Sequence, residues 1–161
     1  MNSGLEERVR RLEDLEEIRR LKSLYCHLVD RSVSGEAAAT EELMGHFTEE
    51  AWGEYGDFGR YEGRENLALF FGQVVPGILS FTAHMVHNPL IDIHGDEAVG
   101  RWYFEVPCTL REKNLAGWLQ GRYEEGFVRR GGTWKWAFIK ASFDYATPYD
   151  QGWARTRMFP L

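Results

Sequence analysis

Cysteine, basic charge and long apolar runs are all scarce in this chain of 161 residues. Its two cysteines, Cys26 and Cys108, are too few for a disulfide framework or for a zinc site built on cysteine pairs. Nineteen lysines and arginines against 25 acidic residues give a net charge of −6, which argues against nucleic acid or an anionic membrane as partner. No apolar run approaches the roughly 20 residues that a membrane-spanning helix needs.

Familiar catalytic and targeting signals are missing as well. The chain has no glycine-rich phosphate loop, no His-Glu-x-x-His motif and no Gly-x-Ser-x-Gly elbow, so nucleotide binding, zinc proteolysis and nucleophile-elbow hydrolysis lose support. The first residues, MNSGLEE, turn acidic at once and lack the basic and then apolar order of a signal peptide. We therefore expect a single globular domain over residues 1–161, located in the cytoplasm.

A long amphipathic helix is predicted over about residues 4–31. Its apolar residues recur at spacings of three and four, the period of one helix face, and Ser34-Gly35 ends the pattern. The charged residues of this segment are expected on a solvated face. The apolar positions are Leu5, Val9, Leu12, Leu15, Ile18, Leu21, Leu24 and Leu28.

Shorter helices come next, and strands occupy the second half of the chain. This order predicts the α+β class, with helices packed on one face of a curved sheet, and Gly-Asp and Gly-Gly turns indicate antiparallel neighbours. The second short helix is expected to end before Pro76-Gly77. The predicted elements are helices over 37–47 and 64–74 with a hairpin over 51–62 between them, strands over 81–93, 98–110, 118–129 and 134–143, and an apolar tail over about 147–161.

His84 and His87 are three residues apart. On a helix such a pair could chelate a metal, but on a strand an odd spacing points the two side chains to opposite faces. The strand assignment therefore disfavours a shared metal and turns one histidine toward the helices. From the residues alone, either could be a structural histidine satisfied by its neighbours.

The predicted strand over 98–110 alternates between an apolar and a polar face. Two small residues, Ala98 and Gly100, stand beside Trp102 and Phe104 on the apolar face, which could leave a hollow between sheet and helices. Tight helix–sheet packing is the alternative. Cys108 on the same face is expected to be an unreactive buried thiol.

Several segments together resemble one family. Their order and spacing are similar to the SnoaL-like branch of the nuclear-transport-factor-two-like superfamily, whose lyase-type members include bile acid dehydratase and scytalone dehydratase. The similarity runs from about Leu12 to Trp153. It implies a cone-shaped fold, with helices inside a strongly bent, mostly antiparallel sheet around one deep apolar pocket. The segments are LKSLYCHLVD at 21–30, FTAHM at 81–85, GDEA at 95–98, GRWY at 100–103, Gly121-x-Tyr123 and Gly132-Thr133-Trp134.

The resemblance also implies a set of catalytic residues. Dehydratase-like members carry a tyrosine and an aspartate at the end of the first helix, a histidine on a central strand and a further pocket tyrosine, which fall here on Tyr25, Asp30, His84 and Tyr55. An elimination needs a base near neutral pH and a donor to the oxygen that gains charge. His84 is thus the expected acid/base, Asp30 its orienting carboxylate, and the two tyrosines the donors. This chemistry requires no metal and no cofactor.

Two positions depart from the bile-acid-dehydratase pattern. Those relatives have an acidic residue where this chain has Val106, and a basic residue in the last strand where the nearest equivalent is Phe143. Lys140 is close by but is expected on the opposite face of that strand unless a bulge intervenes. A less charged, aromatic or terpenoid-like substrate is therefore implied in place of a bile acid. The expected substrate-binding residues are Trp102, Phe104, Val106, Asn88, Tyr123 and Phe143.

The sequence therefore predicts a cofactor-independent lyase of the dehydratase type that acts on a hydrophobic aromatic or polycyclic small molecule. Isomerisation, carbon–carbon cleavage of an aromatic diol, polyketide cyclisation and epoxide hydrolysis are alternatives for the same pocket, as is ligand binding without catalysis. The long helix and the residues MFPL at 158–161 offer apolar surface that another copy could bury, so a homodimer or homotrimer is expected.

Overall fold

Helices lie against one face of a curled sheet, which confirms the predicted α+β class. The computed structural model describes residues 3–158. Within them a 3-10 turn covers Gly56–Phe58 and a π-helical turn covers Phe70–Val74. The helices and strands are α1 (Ser3–Val33), α2 (Ala37–Met44), β1 (Phe47–Tyr55), β2 (Arg60–Glu62), α3 (Arg64–Leu69), α4 (Val75–Ile78), β3 (Leu79–Thr82), β4 (Met85–His94), β5 (Glu97–Leu110), β6 (Leu115–Arg130) and β7 (Thr133–Pro148).

The sheet is mixed, although most of its pairs are antiparallel. Its seven described strands run in the order β2-β1-β7-β6-β5-β3, and β4 also pairs with β5. The β1–β7 pair is parallel, whereas β4, β5, β6 and β7 pair in antiparallel fashion as predicted. Register shifts between β6 and β7 and between β4 and β5 mark bulges, which bend a sheet.

The first helix is amphipathic only from its middle onward. Ile18, Leu21 and Leu28 are buried as the helical spacing predicts, whereas Leu5 and Leu12 are more than 60% exposed. The predicted solvated face needs a correction, because two of the helix's charged residues are buried. Asp14 accepts hydrogen bonds from Arg129 and from the Trp134 indole, and Lys22 is paired with Glu125.

The two shorter helices differ from their predicted bounds. The first ends at Met44, and Phe47 begins β1, where its ring stacks on Trp136 at a centroid distance of 5.1 Å. The second does not stop before Pro76: it continues through the π-helical turn into α4 and ends at Ile78. Pro76 is the second residue of α4, directly after the π-helical turn.

The predicted strand over 81–93 is two strands, β3 and β4, separated at Ala83 and His84. The backbone N–H of His84 is donated to the carboxylate of Asp30 and not to a neighbouring strand. This contact with α1 interrupts the ladder, and it places the His84 side chain in an irregular segment.

The strand β5 has the predicted apolar face. Ala98, Trp102, Phe104 and Val106 are all buried, as is Cys108. Burial raises the pKa of the Cys108 thiol to about 11, in agreement with an unreactive thiol.

The predicted tail begins later than expected, because β7 continues to Pro148. Beyond it, Tyr149, Trp153 and Met158 are exposed, and residues 159–161 lie outside the described part of the chain. In residues 3–158 no helix is both long enough and apolar enough to cross a membrane.

Candidate active site

Asp30 and His84 form a carboxylate–imidazole pair between α1 and the break that separates β3 from β4. Oδ1 of Asp30 lies 2.6 Å from Nδ1 of His84, and Oδ2 accepts the His84 backbone N–H at 3.0 Å. Thr82 donates its hydroxyl to Oδ1 at 2.7 Å. The side chain of His84 is 10% exposed and that of Asp30 is 28% exposed. The structure thus brings together the two residues predicted as base and orienting carboxylate.

Hydrogen bonding keeps the Asp30 carboxyl group ionised. Burial alone would raise its pKa, but hydrogen bonds from the His84 ring, the Thr82 hydroxyl and the His84 backbone, together with the attraction to the His84 ring in its protonated form, outweigh burial. The pKa of Asp30 therefore lies below its ordinary value of 3.8. An ionised carboxylate at Nδ1 favours the tautomer that carries its hydrogen there, which leaves Nε2 of the neutral imidazole able to take a proton.

A cavity of about 50 Å³ adjoins His84 inside the sheet. Its polar lining consists of His84, Thr82 and the three tyrosines Tyr25, Tyr55 and Tyr123. Among the described residues that line it there is no lysine, arginine or carboxylate. The remaining lining side chains are apolar: Val29, Phe58, Phe70, Phe71, Val75, Leu79, Phe104, Val106, Leu119, Ala141 and Phe143.

The three tyrosines supply hydrogen-bond donors to this apolar space. Tyr25 comes from α1, Tyr55 from the end of β1 and Tyr123 from β6. Burial raises the pKa of each phenol well above its ordinary value of 10, so the hydroxyls stay protonated. Within residues 3–158 the buried Tyr55 hydroxyl has no hydrogen-bond partner, which leaves it available to a bound molecule.

A family comparison covers this whole group of residues. Residues 10–140 match the model of the SnoaL-like domain. The chain belongs to the SnoaL-like family. The matched range contains Tyr25, Asp30, Tyr55 and His84. No curated protein sequence matches the chain.

Solved structures share the SnoaL-like fold over most of their length. A hexachlorocyclohexane dehydrochlorinase, LinA type 2, superposes with a TM-score of 0.79 at 22% identity, covering 87% of this chain and 91% of its own. A scytalone dehydratase-like protein from Novosphingobium aromaticivorans gives 0.75 at 22% identity, covering 86% and 89%. An aromatic ring hydroxylase-like protein from the same species gives 0.71 at 27% identity, covering 82% and 90%. The predicted cone-like fold is therefore confirmed, on a scaffold that serves more than one chemistry.

Four of the six predicted substrate-binding residues line the cavity beside His84, namely Phe104, Val106, Tyr123 and Phe143. Trp102 is buried but does not reach it, because its indole nitrogen is directed along β5 toward Gly100.

Asn88 lies on the outer surface, contrary to expectation. The register between β4 and β5 shifts between His87 and Leu90, and Asn88 adopts a φ of 53° in this bulge. The break at His84 also removes the strand alternation that was to place Asn88 on the same face as that histidine. Lys140 is exposed and does not line the cavity, which agrees with its predicted opposite face.

Thr82 and the adjacent phenylalanines Phe70 and Phe71 line the cavity and were not predicted from the sequence. The π-helical turn starts at Phe70 and buries both rings. Phe70 stacks on Tyr55 at a centroid distance of 4.3 Å, and Phe71 meets Tyr25 edge-on at 5.9 Å. The sequence does contain a signal for Thr82, because it precedes His84 by two residues and residues two apart on a strand share a face. No local pattern predicts the π-helical turn.

Proposed function

We propose that this SnoaL-like protein is a cofactor-independent lyase that eliminates water or a similar group from an uncharged, hydrophobic ring compound. The observation that carries the proposal is the Asp30–His84 pair beside an apolar cavity with phenol donors. A base held by a carboxylate and a donor to developing negative charge are what an elimination next to a carbonyl or phenol requires.

In the proposed reaction, Nε2 of His84 removes a proton from a substrate carbon. The electrons of that C–H bond form the new double bond, and the bond to the leaving group breaks. Hydroxyls of Tyr25, Tyr55 and Tyr123 donate to the oxygen that gains charge. The proton on His84 then joins the departing hydroxide as water, which returns the imidazole to its neutral form. Asp30 keeps the ring in place and stabilises the transient imidazolium.

The cavity lining supports an uncharged substrate. A charged group would lose its hydration here without finding an opposite charge among the described lining residues. At about 50 Å³ the cavity is also small, since an engineered cavity that binds benzene measures roughly 150 Å³. Side chains must therefore move when a ring enters. We assign this movement to Phe58, which lies on the half-exposed 3-10 turn. Its ring centroid is 6.0 Å from that of Phe143.

The decisive experiment compares two histidine variants after a binding screen. Thermal-shift measurements with neutral phenolic and steroidal ring compounds identify a ligand, and mass spectrometry of its reaction mixture identifies elimination, isomerisation or cleavage. The variant His84→Ala should lower turnover by about 10²–10⁴-fold, the usual contribution of a positioned acid/base. Its melting temperature and its affinity for a non-reacting analogue should change far less.

His87→Ala is the matched control. His87 lies three residues away, is exposed on the outer face and stacks on Tyr103, so its removal should leave turnover unchanged. Full turnover in a folded His84→Ala protein would contradict the proposed function. A loss of turnover that only follows a loss of folded protein would assign His84 a structural role instead.

A further inference from the structure

Lys22 and Glu125 form an ion pair in the interior that the proposed reaction does not use. Nζ of Lys22 contacts Oε1 of Glu125, and neither side chain has any exposed surface. One charge comes from α1 and the other from β6. Neither residue is among those that line the cavity, so the pair does not touch a molecule bound there.

The ammonium group of Lys22 also lies on the faces of two cavity tyrosines. Nζ is 4.1 Å from the ring centroid of Tyr25 and 3.6 Å from that of Tyr123. Lys22 precedes Tyr25 by three residues on a helix, and Glu125 follows Tyr123 by two on a strand. Both spacings place the charged residue on the same face as its tyrosine, so the four side chains form one contiguous cluster.

Stability does not explain why the core contains this pair. Both charges lose their hydration on burial, and an apolar pair of similar volume often replaces such an ion pair without loss of stability. Oε2 of Glu125 is buried without a hydrogen-bond partner in the part of the chain that the structure describes, which adds a further cost. The function that compensates for this loss of stability must therefore involve the residues that the pair contacts.

We infer that Lys22 and Glu125 are a positioning pair for Tyr25 and Tyr123: they hold the two rings so that both hydroxyls face a substrate oxygen beside His84. An ammonium group is attracted to the face of an aromatic ring. Here the carboxylate anchors it against two rings whose planes cross at 78°.

One of the two positioned rings, that of Tyr25, reaches the catalytic pair directly. Tyr25 meets the His84 ring edge-on at a centroid distance of 6.1 Å, and Tyr123 packs on Phe104 at 4.5 Å. A tilt of either ring through a change of its χ1 angle would therefore move its hydroxyl relative to the imidazole, whereas a flip about the Cβ–Cγ axis leaves the hydroxyl oxygen in place. The inference rests on the proposed function, since it assigns both hydroxyls to the oxygen of a reacting substrate.

The double variant Lys22→Met/Glu125→Met separates positioning from stability. It removes both charges and keeps the two side-chain volumes, so its melting temperature should be close to that of the wild type or higher. Its kcat should fall on the order of 10²-fold, as when an oxyanion donor is lost, while KM changes little. Lys22→Met or Glu125→Met alone leaves one charge buried without its partner, and each should melt at a lower temperature.

A second measurement does not depend on activity. In protein with ring-labelled tyrosine, NMR signals from the two edges of a ring are separate when the ring is held and merge when it flips rapidly. Tyr25→Phe and Tyr123→Phe assign the signals. Rapid flipping would show that the contacts that hold the ring have loosened, so we expect separate signals in the wild type and merged signals in the double variant. The control is Arg31→Met/Glu36→Gln, which removes an exposed ion pair between α1 and the residue before α2, and it should change neither the signals nor kcat.

Separate ring signals in a folded double variant would overturn the inference, whatever its kcat. Merged ring signals with an unchanged kcat would also overturn it. A double variant that cannot fold, followed by the same failure of Lys22→Leu/Glu125→Leu, would also overturn it, because the pair would then serve stability. Failure of the proposed function is a different result: His84→Ala keeps its turnover, whereas the tyrosine signals still report whether the pair holds the rings.

Discussion

The carboxylate of Asp30 holds His84 at two points, one oxygen at the ring nitrogen Nδ1 and the other at the backbone N–H. The two contacts fix both the position of the backbone and the orientation of the imidazole. Because the backbone contact replaces a strand hydrogen bond, the same interaction that orients the ring also creates the break between β3 and β4. One aspartate thus determines the local fold and the direction of the base.

Asp30→Asn should lower turnover by on the order of 10²–10⁴-fold, because an amide beside Nδ1 can favour the wrong tautomer of the imidazole. Thr82→Val is the companion variant. It removes one hydrogen bond to the carboxylate but leaves the charge and the tautomer unchanged, so a much smaller loss is expected. Steady-state kinetics and melting curves on the same preparations measure both effects. Equal losses in the two variants would show that tautomer control by Asp30 is not important.

Acid should destabilise the wild type more than Asp30→Asn. The pKa of Asp30 is below its ordinary value of 3.8, and a depressed carboxyl pKa adds stability that is present above the unfolded-state pKa. This stability is lost as the pH falls through the lower, folded-state pKa. Urea unfolding from pH 7 down to pH 2 should therefore give curves for wild type and Asp30→Asn that begin to converge below about pH 4. A constant difference across that range would contradict the assignment.

Gly121→Ala should destabilise the protein by about 1–3 kcal/mol, the usual cost of overpacking. A Cβ atom at this position in β6 would lie 2.0 Å from the backbone oxygen of Ser142 and 2.8 Å from the ring of Phe104. Gly77→Ala is the control, because Gly77 in α4 has open space around it and an ordinary helical position. There the alanine should be neutral or stabilise by about 0.5–1 kcal/mol. Denaturant unfolding measures both, and similar values would argue against close packing at Gly121.

The protein should be a homodimer or homotrimer in solution. Leu5, Val9 and Leu12 are exposed on the first half of α1, apolar surface that another copy could bury. Light scattering at micromolar concentration should give two or three times the 18.7 kDa of one chain. Leu5→Ser/Leu12→Ser should shift the mass toward the monomer, whereas Arg8→Ser/Arg11→Ser on the same half-helix should not. A monomer mass for the wild type would contradict the prediction.

The sequence predicted those helices and strands whose apolar residues repeat at a regular spacing. The period of α1 and the alternation of β5 both appear in the structure, because each reflects one face packed against the core. The residues that the family resemblance assigned to catalysis also come together around His84.

Contacts between distant residues account for what the sequence did not predict. The interruption at His84 depends on Asp30, a residue 54 positions earlier. Lys22 resembled the other charged residues of a solvated helix, and its partner Glu125 is 103 positions away. The bulge that turns Asn88 outward and the helix that continues through Pro76 likewise depend on how whole strands and helices fit together.

The parallel pairing of β1 with β7 has a consequence for how the protein is made. A strand that ends at Tyr55 can pair only after residues from Thr133 onward have left the ribosome. Until then the inner side of β1, including Phe47 and Tyr55, is not paired along that edge. The nascent chain therefore exposes apolar surface to which chaperones can bind. Asp30 and His84 are synthesised before β7, yet the cavity beside them is complete only when β7 has joined the sheet.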